Sequence, residues 1–89
     1  PAVDMAIVSA IASSFLDKPV PDGTVVLGEV GLAGEVRAIG QVDIRLAEIK
    51  KMGFKRCLVP DSNLKRILDI NGIEVAGIKT VPEAIEKLF

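Results

Sequence analysis

The chain has 89 residues, 49% of them apolar and only 3% aromatic, which predicts one small domain built on aliphatic packing. A formal net charge of −1, from 11 Lys and Arg against 12 Asp and Glu, excludes nucleic-acid binding driven by overall charge. The chain contains no histidine and one cysteine, which excludes His-based triads, zinc fingers and an intrachain disulfide. The cysteine content favours a reducing, cytoplasmic compartment. Apolar runs fall far short of the roughly 20 residues of a membrane span, so no membrane partner is expected.

In chain order, the first predicted element is a helix over residues 2–16, which is apolar on almost every side and is therefore expected to be buried. A Pro- and Gly-containing turn over 19–23 leads into a β-branched strand over 24–27. Two short strands within 30–37 surround a glycine-bearing reversal, which predicts a hairpin.

The second half of the chain predicts alternating helices and strands. A helix over 42–52 has Val42, Leu46 and Ile49 on its core face and Gly53 beyond its end. The remaining predictions are a strand over 56–59 closed by Pro60, a brief helix through Leu68 capped by Asp61 or Ser62, a strand over 73–78 after Asn71-Gly72, and a capping box at 80–83 opening a helix to Phe89. This order predicts a single α/β (α+β) domain over 1–89, with the last two strands parallel.

Residues that carry chemistry are few, and each has an ordinary structural alternative. No phosphate-binding glycine loop, CxxC pair or nucleophile elbow is present. Serines in the first helix have no histidine to activate them and are expected to bond to backbone carbonyls: Ser9, Ser13 and Ser14. Glu29 and Glu35 flank the hairpin reversal, either as a carboxylate pair or as solvated acids. Cys57 lies among apolar residues, which favours a core position over a reactive one.

Basic residues concentrate at one place, around the end of the helix over 42–52. They either complement the helix dipole or form a local phosphate-binding cluster. The first candidates for DNA contact are Lys50, Lys51, Lys55 and Arg56, and the second candidates are Arg37 and Arg45.

An ordered set of short runs resembles the proteolytic domain of Lon-type proteases. The runs are PAVD at 1–4, KPV at 18–20, GEVGLAGEV at 28–36, AIG at 38–40, GFKR at 53–56 and LVP at 58–60. The resemblance implies a Lon-protease-like fold whose β-hairpin is followed by alternating helices and strands. It also implies that this chain is a piece of a longer protein and lacks the N-terminal strands of the domain, so that an exposed sheet edge is free to pair with another copy.

The resemblance also implies that the catalytic dyad of the family is lost. Active members carry a serine in a Pro-Ser-Ala-Gly run and a lysine in a Gly-Gly-Leu-Lys run. In this sequence the corresponding runs place Ala2 at the serine position and Asp43 at the lysine position. Alanine has no nucleophilic oxygen and aspartate cannot replace a neutral amine as the base, so no protease activity is expected. The alternative is a degenerate hydrolase that uses one of the helix serines with a lysine such as Lys18.

Among Lon-like sequences, the opening run and the hairpin run resemble those of bacterial DNA-repair ATPases. The resemblance implies a non-catalytic scaffold in a homohexameric ring that supports ATP-driven DNA branch migration on single-stranded or branched DNA. It implies no cofactor within this chain, and ATP, Mg and Zn only in domains upstream of it. A separate binding module or protease regulator is the competing class of function.

Overall fold

The computed structural model describes residues 23–67 and 72–89. Its strands are β1 (Thr24–Val26), β2 (Glu29–Val30), β3 (Val36–Arg37), β4 (Arg56–Pro60) and β5 (Glu74–Ile78). Its helices are α1 (Val42–Lys51), a 3-10 helix (Asp61–Arg66) and α2 (Val81–Leu88). The helix predicted over 2–16, with Ala2, Lys18 and the three serines, lies outside the described residues.

A parallel sheet with strand order β1-β4-β5 forms the centre of the described structure. β4 is buried along most of its length because a helix covers each face of the sheet. Cys57 and Val59 pack with α1, whereas Leu58 packs with Ile78 and with Leu88 of α2. The predicted parallel pairing of the last two strands is therefore confirmed, and the arrangement is the α/β class expected.

The predicted hairpin is also present, since β2 and β3 pair antiparallel with Val30 opposite Val36. It is attached to the rest of the domain through the segment that follows β5. The Val36 N–H donates to the Lys79 carbonyl at 2.8 Å, and the Val81 N–H donates to the Gly34 carbonyl at 2.9 Å. The hairpin is therefore fixed to the body of the domain by main-chain bonds.

The helix predicted over 42–52 is confirmed in type and face. Val42, Leu46 and Ile49 are its buried residues. Met52 is its C-cap, and Gly53 follows with a φ of +91°, a left-handed conformation that glycine adopts without cost. The spacing of three apolar residues and one glycine is sufficient to predict this element.

The predicted helix after β4 needs correction in both its type and its cap. It is a 3-10 helix over Asp61–Arg66 rather than a helix through Leu68, and Pro60 occupies the N-cap without a side-chain hydrogen bond. Pro60 belongs to β4 in register with Ile78, so Asp61 already lies inside the helix and neither it nor Ser62 is the cap. Ile67, with an extended ψ of 120°, ends the helix.

The last helix has the predicted cap, with one change. The Thr80 Oγ1 accepts a hydrogen bond from the Glu83 N–H at 3.3 Å, as a capping box requires. The Glu83 carboxylate reaches back to the Lys79 N–H at 3.1 Å, one residue before the cap itself. Both bonds satisfy main-chain donors at the start of α2.

Candidate functional site

The connection from β3 to α1 is held by the side chain of Asn63. This buried amide accepts from the Ile39 N–H and donates to the Ile39 carbonyl, both at 3.0 Å. Two bonds to one residue reproduce the pairing of a β-bridge, so Asn63 fixes the main chain just before α1. Gln41 then precedes α1 with a left-handed φ of 55°, and it makes no side-chain cap bond.

The left-handed conformation of Gln41 supports the register of the Lon resemblance. In that register Gln41 stands where the family run has its second glycine, and glycine is the residue that adopts this conformation freely. Asp43 then occupies the lysine position, exposed in the first turn of α1. A carboxylate there is favoured by the positive end of the helix dipole, which gives Asp43 a structural reason to be present.

The hairpin acids are not arranged as a catalytic pair, because Glu35 is engaged within the turn. Its carboxylate accepts from the Ala33 N–H at 3.0 Å and forms an ion pair with Arg37 at 3.1 Å. Its own main-chain N–H, and then Arg37, lower the pKa of the Glu35 carboxyl below its usual value. Glu35 is therefore an ionised structural acid. Glu29 lies opposite Arg37 in the β2–β3 register.

The four first-choice basic residues lie together at the amino-terminal edge of the sheet. The Lys55 and Arg56 N–H groups both donate to the Gly23 carbonyl, just before β1, and the Lys55 carbonyl accepts from Glu74 at the start of β5. Lys50 and Lys51 form the last turn of α1, which ends at this same edge. We call these four residues, Lys50, Lys51, Lys55 and Arg56, the basic edge.

Within the basic edge, Lys50 and Arg56 also have packing roles. The Lys50 side chain passes over Gly72, where a Cβ would lie 3.2 Å from the Lys50 Cε. Arg56 donates from Nη1 to the Lys87 carbonyl at the end of α2, at 3.5 Å. Its Nε is buried and has no hydrogen-bond partner among the described residues. Arg56 is thus partly a structural link between β4 and α2, whereas Lys51 and Lys55 are exposed.

Arg37 and Arg45 do not belong to the basic edge. The Arg45 Nε donates to the Gly40 carbonyl at 3.2 Å, just before α1 begins, and Arg37 is paired with Glu35 in the hairpin. The Arg45 side chain is therefore directed toward the start of α1, whereas Lys50 and Lys51 lie in the last turn of the same helix. The structure thus places the two second-choice arginines apart from the basic edge.

Cys57 is a core residue, as its apolar neighbours predict. It is fully buried in β4, and burial raises the pKa of its thiol to about 12. A thiol with that pKa is protonated at neutral pH and is a poor nucleophile.

Two further features concern the described residues only. Among them, no helix is long and apolar enough to cross a membrane. Within 23–67 and 72–89, no group of three or more Cys, Asp or Glu side chains is placed to hold a metal ion.

Sequence comparison assigns the fold and the β3–α1 segment to a known class. A profile of the Lon protease (S16) C-terminal proteolytic domain matches residues 1–88. The match extends over nearly the whole chain, including both the hairpin and the segment that carries Asp43. The chain belongs to the Lon C-terminal proteolytic domain family.

The individual relatives are DNA-repair proteins. The chain is 47% identical over 85 residues to DNA repair protein RadA of Bacillus subtilis, covering 96% of this chain and 19% of that protein. It is 45% identical over 89 residues to RadA of Aquifex aeolicus, covering 100% and 19%, and 39% identical over 89 residues to RadA of Streptococcus pneumoniae, covering 100% and 21%. The chain thus spans about a fifth of the length of these relatives.

Proposed function

We propose that this chain is the Lon-like domain of a RadA-type DNA-repair protein and acts as a non-catalytic scaffold. The observation that carries the proposal is Asp43 at the lysine position of a Lon-family domain whose relatives are DNA-repair proteins. The left-handed Gln41 and the Asn63 clamp support the register in which Asp43 takes that position.

The loss of peptidase activity follows from the chemistry of the two dyad positions. An Asp43 carboxylate is ionised at neutral pH and cannot serve as the amine base that a serine nucleophile needs in this family. Ala2 carries no side-chain oxygen. Because a dyad acts as a unit, a domain that lacks both members has no ordinary route to acyl transfer.

A fluorophosphonate probe tests this part of the proposal. We expect no covalent labelling of the purified full-length protein and no turnover of casein, while an active Lon protease is labelled in parallel. Labelling that disappears in a Ser9→Ala or Ser13→Ala variant would instead support the degenerate-hydrolase alternative.

The role in the longer protein is the second part of the proposal. In it, copies of this domain form one tier of a homohexameric ring in the cytoplasm, and the ring supports a motor that drives branch migration. ATP, Mg and Zn belong to upstream domains, and this chain itself carries no cofactor. The share of the relatives that this chain covers, about a fifth, leaves room for such domains in proteins of that length.

The third part of the proposal is that the basic edge contacts DNA. A chain with a net charge of −1 cannot attract phosphates through its mean charge. A local cluster repeated six times around a ring can neutralise several phosphates together, although one copy binds weakly. The exposed lysines of the basic edge have charged groups available for this contact, whereas Arg56 is partly committed to the end of α2.

The contact with DNA is tested by changing Lys50, Lys51 and Lys55 to Gln in the full-length protein. We expect weaker single-stranded DNA binding and a shallower dependence on salt, by about 0.7 in log–log slope for each phosphate that the variant no longer neutralises. The matched control changes exposed lysines outside the basic edge, Lys65→Gln with Lys79→Gln. An unchanged slope in the triple variant, with assembly intact, would remove the basic edge from the DNA interface.

Arg56 requires a separate variant, because Arg56→Gln also removes the bond to the Lys87 carbonyl. Its effect on DNA binding is read only beside its unfolding midpoint. The Arg37→Gln and Arg45→Gln pair tests the two arginines that lie apart from the basic edge.

A further inference from the structure

The tip of the hairpin presents a fully exposed leucine on a turn of defined conformation. Leu32 has 106% relative accessibility, the highest among the exposed large apolar residues of the described chain. The turn over 31–34 is closed by the Gly34 N–H donating to the Gly31 carbonyl at 3.1 Å. An exposed apolar side chain on an ordered turn is typical of a contact point for a partner.

A network of polar contacts holds this turn from beneath. The Gly31 N–H donates to the Glu35 carbonyl at 2.9 Å, while the Glu35 carboxylate binds the Ala33 N–H and Arg37. The carboxylate lies over Gly31 so closely that a Cβ at that position would overlap it. Because the hairpin is also bonded to the segment after β5, the position of Leu32 is set before any partner arrives. Such preorganisation lowers the entropic cost of binding.

The size of the tip favours a partner that is already held nearby. A stable interface between independent proteins uses about 20–30 residues on each side, and a four-residue turn is a small fraction of that. The relatives of this chain are about five times its length, so other contacts can bring copies together. A second copy in the same assembly meets this condition, because its effective concentration is high.

We propose that Leu32 packs against the outward side of α1 on a second copy of this chain. Two exposed large apolar residues mark that side and its end, Ile44 at 61% and Met52 at 70% relative accessibility. Leu64, the remaining exposed large apolar residue of the described chain, packs over Gly77 instead. A contact between two different surfaces is heterologous, and it can close a ring when repeated. This inference rests on the self-assembly contained in the proposed function.

Photo-crosslinking in the full-length protein tests the contact. Benzoylphenylalanine replaces Leu32, and labelled and unlabelled subunits are mixed so that mass spectrometry separates contacts between copies from contacts within one copy. We expect crosslinks between copies, in the peptide that contains α1. The same probe at Lys65, which is exposed on the 3-10 helix, is the control. Crosslinks confined to other segments, or none at all, would overturn the assignment.

A second variant separates this contact from assembly in general. Leu32→Asp is expected to raise the concentration at which the protein assembles by about tenfold or more, whereas Lys65→Asp leaves it unchanged. If the unchanged protein assembles and Leu32→Asp has no effect, the hairpin contact is wrong and the scaffold proposal stands. If the unchanged protein is monomeric at all concentrations, both the contact and the proposed assembly are wrong.

Discussion

Replacing Leu58 by alanine is expected to lower the free energy of unfolding by about 2–5 kcal/mol. Leu58 is fully buried at the centre of β4, between Val26 of β1 and Ala76 of β5 in register. Its side chain packs in the core cluster that includes Ile78 and Leu88. Truncation there removes apolar packing on a face that α2 covers, and the closely packed neighbours relax only in part.

Urea unfolding followed by circular dichroism measures this effect. The matched control is Leu32→Ala, which makes the same chemical change at a fully exposed site and is expected to stay within about 0.5 kcal/mol of the unchanged chain. Equal stability of the two variants would contradict the placement of β4 between two helices.

The elements with a clear apolar period are predictable from sequence. In α1 the three core residues recur at helical spacing, and in β4 consecutive apolar residues indicate a strand buried on both faces. Parallel pairing of β4 and β5 follows from the helix predicted between them. These features depend on local sequence alone, which is why the structure agrees with the prediction.

The segment after β4 is harder to predict, because its geometry depends on a neighbouring strand. The sequence predicts that Pro60 closes the strand, but Pro60 pairs in register with Ile78 and so moves the helix start to Asp61. The 3-10 helix packs against β5 at Gly77, where the absence of a Cβ admits Leu64 and Asp61. A sequence window around Asp61 contains none of this information.

The candidate site shows the same division. The run of residue types is enough to find Asp43 and the basic edge, but it does not separate the basic edge from Arg37 and Arg45. That separation follows from the direction of α1 relative to the sheet.

Long-range contacts to the main chain are equally hidden from the sequence. Asn63 gives no sequence signal as a clamp, since its partner Ile39 lies 24 residues earlier in the chain. The Arg56 bond to the Lys87 carbonyl spans 31 residues, although the position of Lys87 in the last turn of a helix is predictable. Both contacts depend on how distant elements pack, which no local pattern specifies.

Replacing Asn63 by alanine is expected to destabilise the domain by about 2–4 kcal/mol, because two buried hydrogen bonds disappear and both main-chain groups of Ile39 are left without the Asn63 amide. The effect is local in origin, so it should loosen the segment before α1 more than the sheet. Ser62→Ala, at the exposed neighbouring position, is the matched control and is expected to change little.

Amide hydrogen exchange separates the clamp from a general decrease in stability. In the Asn63→Ala variant the Ile39 N–H, which donates to the Asn63 Oδ1, should exchange much faster than in the unchanged chain. The Leu27 N–H, which donates to the Leu58 carbonyl within the sheet at 2.9 Å, should change its exchange rate only with global stability. If both amides changed by the same factor, Asn63 would be an ordinary core residue, and the segment carrying Gln41 and Asp43 would owe its conformation to other contacts.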